Sequence, residues 1–147
     1  MSNLLVSDEF DLQRFLVAQE PVYEKVLAEL KAGQKYSHWI WFIFPQIEGL
    51  GFSTISRHYS IKNLAEAAAY LQHPILGSRL VECCATVHAL QGLSANQVFG
   101  SPDDLKFKSC LTLFMQVPEA NPVFAHNLEK YFNNQLDEKT LARLANL

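Results

Sequence analysis

The segment Ser37-His38-Trp39-Ile40-Trp41-Phe42-Ile43-Phe44-Pro45-Gln46 decides how the chain is read. It holds both tryptophans of the chain, inside six consecutive apolar residues from Trp39 to Phe44. A segment with no polar face has to be buried on every side, so the other elements are expected to pack around it. Propensity alone favours a strand, because aromatic and β-branched residues suit a pleated surface. One isolated strand leaves its backbone groups unpaired, and no partner strand is legible elsewhere. Ser37 suits a helix N-cap and Pro45 a stop, so the expectation is a short, fully buried helix. His38 and Gln46 make its ends polar. They are either the solvated ends of a core element or polar groups at the mouth of a pocket, and the sequence leaves both open.

Working outward, the flanking segments read as helices. Ser7 or Asp8 can cap a first one through Phe10, Leu12, Phe15 and Leu16. Pro21 suits the first position of a second, which buries Val22, Val26, Leu27 and Leu30 and ends at Gly33. After the Gly49-Leu50-Gly51 loop, Ser53 or Thr54 can cap a short turn carrying Ser56, Arg57, His58 and Tyr59. Asn63 caps an alanine-rich helix, and His73-Pro74 restarts the chain into a helix reaching about Gln91. Ser94 begins a short helix broken at Gly100. Ser101-Pro102-Asp103-Asp104 is a dense helix start, with a cap, a first-position proline and acids in the first turn. Pro118 stops that helix, Asn121-Pro122 starts another, and Asp137 caps a last one. The expected fold class is all-α: one compact domain over residues 1–147, roughly seven to nine helices around the Trp-rich segment.

Composition narrows the function classes. At 147 residues with 49% hydrophobic and 18% charged content, the chain suits one globular domain with a real core. Its longest apolar run is far short of the roughly 20 residues needed to cross a bilayer, so no membrane partner is expected. Met1 to Phe10 lack the basic start and apolar stretch of a signal peptide. Cys83, Cys84 and Cys110 are odd in number and two are adjacent, which suits reduced thiols and a cytoplasmic location. A net charge of −3 with dispersed Lys and Arg argues against duplex nucleic acid as a partner, while a local site for a small anion stays open.

The residues able to carry chemistry lie near the same landmarks. Asp103, Lys106, Cys110, Leu113 and Val117 recur at helical steps and form one stripe with an apolar lower half. Lys106 and Asp103 therefore top a buried face, either as an ion pair or with Lys106 facing an anionic ligand beside free helix-start amides. Asp104 could act as a base or hold a ligand hydroxyl. His38 borders the tryptophans and has a neutral pKa suited to proton transfer. Arg57 offers a fork for carboxylate or phosphate, next to His58 and Tyr59. His38, His58, His73, His88 and His126 show no metal-binding spacing, and no metal site is expected. Cys84 and Cys110 read as core hydrophobes. There is no dinucleotide fingerprint, phosphate loop or Gly-x-Ser-x-Gly elbow, so no cofactor is named.

These stretches carry a resemblance. His38 to Gln46 with Gly49-Leu50-Gly51-Phe52-Ser53, His73-Pro74-Ile75-Leu76-Gly77-Ser78-Arg79-Leu80, and Phe99-Gly100-Ser101-Pro102-Asp103-Asp104-Leu105-Lys106 are similar to the signature of the domain of unknown function 1810 (DUF1810). The resemblance runs from about Phe15 to Leu144. It implies a compact, mostly helical domain and no established activity. One departure is visible: after Lys108-Ser109 the family usually carries a second serine and a methionine, where this chain has Cys110 and Leu111.

Two function classes follow. In the first, a nucleotide-like or other anionic small molecule binds among His38, Gln46, Arg57, Tyr59, Asp104, Lys106 and Ser109, with Trp39 or Trp41 as stacking walls. The chemistry would be hydrolysis or group transfer, with His38 or Asp104 as base and Lys106 beside them. In the second, a helical adaptor domain presents an exposed apolar patch to a protein partner.

Overall fold

Residues 8–147 are described by the computed structural model, and among them the chain forms ten helices and no strand. Helix α1 (Gln13–Gln19) starts beneath Asp8, whose carboxylate accepts the Leu12 and Gln13 N–H groups at 2.7 and 3.0 Å. Ser7, the other expected cap, lies outside the described residues. Helix α2 (Tyr23–Ala32) begins two residues after Pro21 and ends at Gly33, whose φ of 78° is the left-handed conformation that glycine adopts freely.

The Trp-rich segment is the single helical turn α3 (Ile40–Ile43), flanked by Trp39 and Phe44. The expectation that Ser37 caps it is corrected: the cap position is Trp39, and Ser37 is engaged elsewhere. Its N–H and Oγ both donate to Glu29 of α2, at 3.0 and 2.7 Å, alongside the Tyr36 N–H at 2.7 Å and Trp39 Nε1 at 3.0 Å. One carboxylate thus gathers the whole approach to α3. Burial alone would raise the Glu29 pKa, but the donors from Ser37, Tyr36 and Trp39 outweigh it and hold the group at about 2. Burial on every side is also corrected. Trp39, Ile40, Ile43 and Phe44 are in the core, whereas Trp41 and Phe42 are half-buried.

After Pro45 the chain extends. The Ile61 N–H donates to the Gln46 carbonyl and the Glu48 N–H to the Ile61 carbonyl, both at 2.8 Å, a lone parallel bridge of Ile47 with Ile61. That bridge is all the strand pairing among the described residues. Helix α4 (Thr54–His58) is capped by Ser53 and α5 (Leu64–Gln72) by Asn63. Helix α6 (Leu76–His88) stops before Gln91, and α7 (Ala95–Phe99) carries a full capping box of Ser94 and Gln97. Helix α8 (Asp103–Met115) follows Pro102, and Ser101 makes no cap bond there. Helix α9 (Val123–Phe132) and α10 (Glu138–Ala145), capped by Asp137, complete the order.

A second central element joins α3. Helix α8 packs against α3, α5, α7, α9 and α10, and every residue from Ser109 to Phe114 is buried. Its two hydroxyls satisfy themselves on its own backbone, Ser109 Oγ on the Leu105 carbonyl at 3.0 Å and Thr112 Oγ1 on the Lys108 carbonyl at 2.9 Å. A helix with polar atoms on several sides can therefore be buried all round. The two centres meet at Phe44, whose ring lies 5.0 Å from Phe107 edge-on and 6.1 Å from Trp39.

Two predictions follow from this packing. Glu29→Gln should lose about 1–3 kcal/mol at neutral pH, since one amide oxygen replaces a charged acceptor of four donors. Because the folded pKa of Glu29 lies below its ordinary 4.5, its contribution is complete above that pH and is lost as pH falls towards about 2. Urea unfolding at pH 7 and pH 3 should accordingly show a smaller acid loss in the variant than in the wild type. Gly77 sits where a Cβ would come within 2.1 Å of the Leu71 carbonyl oxygen, so α5 and α6 approach only because that side chain is missing. Gly77→Ala should destabilise by about 1–3 kcal/mol, read as a melting temperature lower by several degrees.

Candidate functional site

A cleft of about 580 Å³ opens where α3, α4, α8 and α10 meet. Trp41, Gln46 and Ile47 form one wall, and the Gly49–Ser53 loop forms its rim. Ser56, Arg57, Tyr59 and Ser60 come from α4 and the residues after it. Pro102, Leu105, Lys106 and Ser109 come from the α8 side, and Asp137 and Lys139 from the start of α10.

The α4 wall is held by a residue far from it in sequence. The Arg14 guanidinium donates to the carbonyls of Phe10, Asp11, His58 and Ser60 at 2.6–2.8 Å and to Glu66 Oε2 at 2.7 Å. The carbonyls on both sides of Tyr59 are thereby fixed, and the Tyr59 ring packs on Phe42 at 5.4 Å and Phe15 at 5.9 Å. Glu66 Oε1 also accepts the Lys62 N–H at 2.9 Å, so the segment leading into α5 is tied to the same ion pair. Opposite, Arg143 of α10 donates from Nε to the Glu48 carbonyl at 2.8 Å. Gly49 beside it has a φ of 100°, and a Cβ there would lie 2.3 Å from Arg143 Nε. The positive φ favours glycine here, and any side chain would also push the arginine aside.

The electrostatics of the cleft are set by Lys106. Its Nζ lies 3.4 Å from Asp103 Oδ1 and 4.7 Å from the centroid of the Trp41 ring. Asp103 is shared, however, because its Oδ2 lies 2.8 Å from Lys35 Nζ. One carboxylate faces two ammonium groups and leaves positive charge at the cleft. Among the described residues, Arg57 and Lys139 have no ion-pair partner. Arg57, Lys106 and Lys139 therefore outnumber Asp137, the one acid in the lining. A basic cleft sits in an acidic chain.

The residues singled out from sequence divide into two groups. Trp41, Gln46, Arg57, Tyr59, Lys106 and Ser109 come together in the cleft. His38, Trp39 and Asp104 lie outside it. Trp39 is only 1% exposed and its Nε1 is committed to Glu29, so it is a core anchor and presents no face to a ligand. Asp104 accepts its neighbour's N–H at Leu105 at 2.9 Å and Asn96 Nδ2 at 3.3 Å, on the α7 side. The reason is helical geometry: residues two apart are turned by about 200°, so Asp104 and Lys106 cannot share a face. His38 and Trp39 precede the turn α3, and neither lines the cleft. His38 and Asp104 therefore stand apart from the six residues that line this cleft.

Asp137 and Lys139 were not among the expected site residues. Asp137 shows only a helix-cap signal in sequence, and nothing local places the start of α10 against α8. Among the described residues no group of three or more His, Cys, Asp and Glu side chains could hold a metal ion. Burial pushes the Cys83 thiol up to about 12 and Cys84 and Cys110 well above the ordinary 9.0, so none offers a thiolate at neutral pH. No helix among the described residues is long and apolar enough to cross a membrane.

A comparison with curated proteins finds no match. Among solved structures, the chain is similar to the conserved hypothetical protein Rv1873 from Mycobacterium tuberculosis, with 51% sequence identity and a TM-score of 0.92. The likeness covers 94% of this chain and 99% of that one. The model of the family described as a protein of unknown function, DUF1810, matches residues 9–144. With nearly the whole chain and its fold accounted for in this way, the protein belongs to the DUF1810 family.

Proposed function

We propose that the cleft binds a small anionic molecule that carries a planar ring, of the nucleotide class. The observation that carries this reading is the seat of Lys106: a cation over the Trp41 ring, on a carboxylate it shares with Lys35. A cation and an aromatic face on one wall suit an anion attached to a ring, since one group neutralises and the other stacks. Arg57 and Lys139 add positive charge, and Tyr59 and Phe52 add aromatic surface. Phe52 is 79% exposed at the rim, where a ring bound in the cleft would cover part of it.

Binding is the step these residues support most directly. For hydrolysis or group transfer, the carboxylate placed to act as base is Asp137, because His38 and Asp104 lie outside the cleft. Three free, buried cysteines support a reducing, cytoplasmic setting for that ligand.

Thermal unfolding of the purified protein with inorganic phosphate and with nucleoside monophosphates tests the reading. A ligand at 100 times its dissociation constant stabilises by about 2.7 kcal/mol, a rise of several degrees for a domain of this size. The rise is expected in the wild type and in His38→Ala, whose side chain lies outside the cleft. It should disappear in Lys106→Ala and Arg57→Ala while both still unfold cooperatively. No rise with any of these compounds would refute an anion site and favour a protein partner at the exposed rim.

A further inference from the structure

We infer that Asp137 reads sugar hydroxyls, so that the ligand of the cleft is a ribonucleotide or a close phosphorylated-sugar relative. This deepens the nucleotide-class reading above and rests on it.

The argument starts from an acid in a basic cleft. A purely anionic ligand would gain nothing from a carboxylate in its own site, and a neutral cap residue would serve α10 equally well. The Asp137 carboxylate is divided between two tasks. Oδ2 accepts the Thr140 N–H at 3.0 Å and the Thr140 hydroxyl at 2.5 Å, and lies 3.2 Å from the Ser109 hydroxyl, whose one hydrogen it shares with the Leu105 carbonyl. Oδ1 accepts no hydrogen bond among the described residues, and the side chain lines the cleft. One oxygen fixes the carboxylate and the other stays available to a donor in the cleft.

The donor it suits is a hydroxyl. Lys139, two residues on, lines the same end and would repel an ammonium group. Neutral O–H donors meet no such penalty, and Ser109 beside Asp137 keeps oxygen lone pairs for a second hydroxyl. The spacing also fits. Ser109 follows Lys106 by three residues on α8, about 4.5 Å along the helix axis. Ser109, which contacts Asp137, thus shares a face of α8 with Lys106, and carboxylate and cation line one cleft, as binding the ring hydroxyls and the phosphate of one sugar phosphate requires. The phosphate would meet Lys106 and Arg57, the base would stack on Trp41, and the vicinal diol would donate to Asp137.

Isothermal titration of the full chain tests this with adenosine and uridine 5′-monophosphates beside their 2′,3′-dideoxy counterparts. Hydrogen bonds to a charged acceptor contribute about 1.5–3 kcal/mol, so the wild type should prefer each ribonucleotide by about tenfold or more. In Asp137→Ser, whose side chain still caps α10 but is too short to reach the diol, the preference should fall to near unity with dideoxynucleotide affinity retained. Asp137→Asn, which caps as well but carries no charge, should lie between, and thermal unfolding shows whether each variant keeps the fold. Equal wild-type affinity for the two kinds of nucleotide overturns the assignment of Asp137 and leaves the anion site standing. A preference that survives in both variants overturns it too. No binding of either nucleotide or of inorganic phosphate overturns the underlying reading and this inference with it.

Discussion

The Arg14 guanidinium has five N–H groups, and in this protein all five are engaged: four on backbone carbonyls and one on Glu66. A buried charge is tolerated only when paired and fully hydrogen-bonded, and here that requirement ties together three separate parts of the chain. The turn before α1, the segment after α4 and the first half of α5 are held at fixed distances from one side chain. Removing the ion pair would leave Glu66 buried without its cation and would free the carbonyls on both sides of Tyr59. The wall of the cleft inherits its rigidity from an arginine that does not line it.

Glu29 works in the same manner on the other side of α3. Four donors converge on it, two from backbone and two from side chains, so a one-turn helix is entered in a fixed orientation. Both devices answer one problem. Helices α3, α4 and α7 have four or five residues each, far below the length at which a helix holds itself in water. Packing and side-chain-to-backbone hydrogen bonds have to hold them. Such a scaffold brings many element ends to its surface, and ends are where side chains of unlike chemistry can converge. The cleft is built from such ends, with α8 as its continuous floor.

Central burial in this fold is shared between two elements of different character. The Trp-rich segment is apolar at every position yet leaves Trp41 and Phe42 half-exposed. Helix α8 carries a serine and a threonine yet is buried along most of its length. Hydrophobicity along the sequence therefore misranks them. The hydroxyls of α8 donate to its own carbonyls and meet Asp137 at the start of α10, whereas the indole of Trp41 faces the cation of Lys106. The family departure at Cys110 and Leu111 falls inside this helix, at two fully buried positions on the core side, away from the cleft.

Local chemistry in the sequence determined the all-α class, the caps at Ser53, Asn63, Ser94 and Asp137, the ends at Gly33, Pro45 and Pro118, and the stripe from Asp103 to Val117. Each depends on residues within a turn or two of one another, where backbone geometry fixes the outcome. Six of the residues singled out from sequence line one cleft, because Trp41, Gln46, Arg57 and Tyr59 border a loop and Lys106 and Ser109 share a face. The one-turn length of α3, the capture of Ser37 and Trp39 by Glu29, the five-fold anchoring of Arg14 and the arrival of Asp137 beside Ser109 were decided by tertiary structure. Apart from the bonds of Arg14 to Phe10 and Asp11, those contacts join positions from eight to more than fifty residues apart, and what selects them is the burial and hydrogen-bond satisfaction of the whole molecule rather than any preference of the residues themselves.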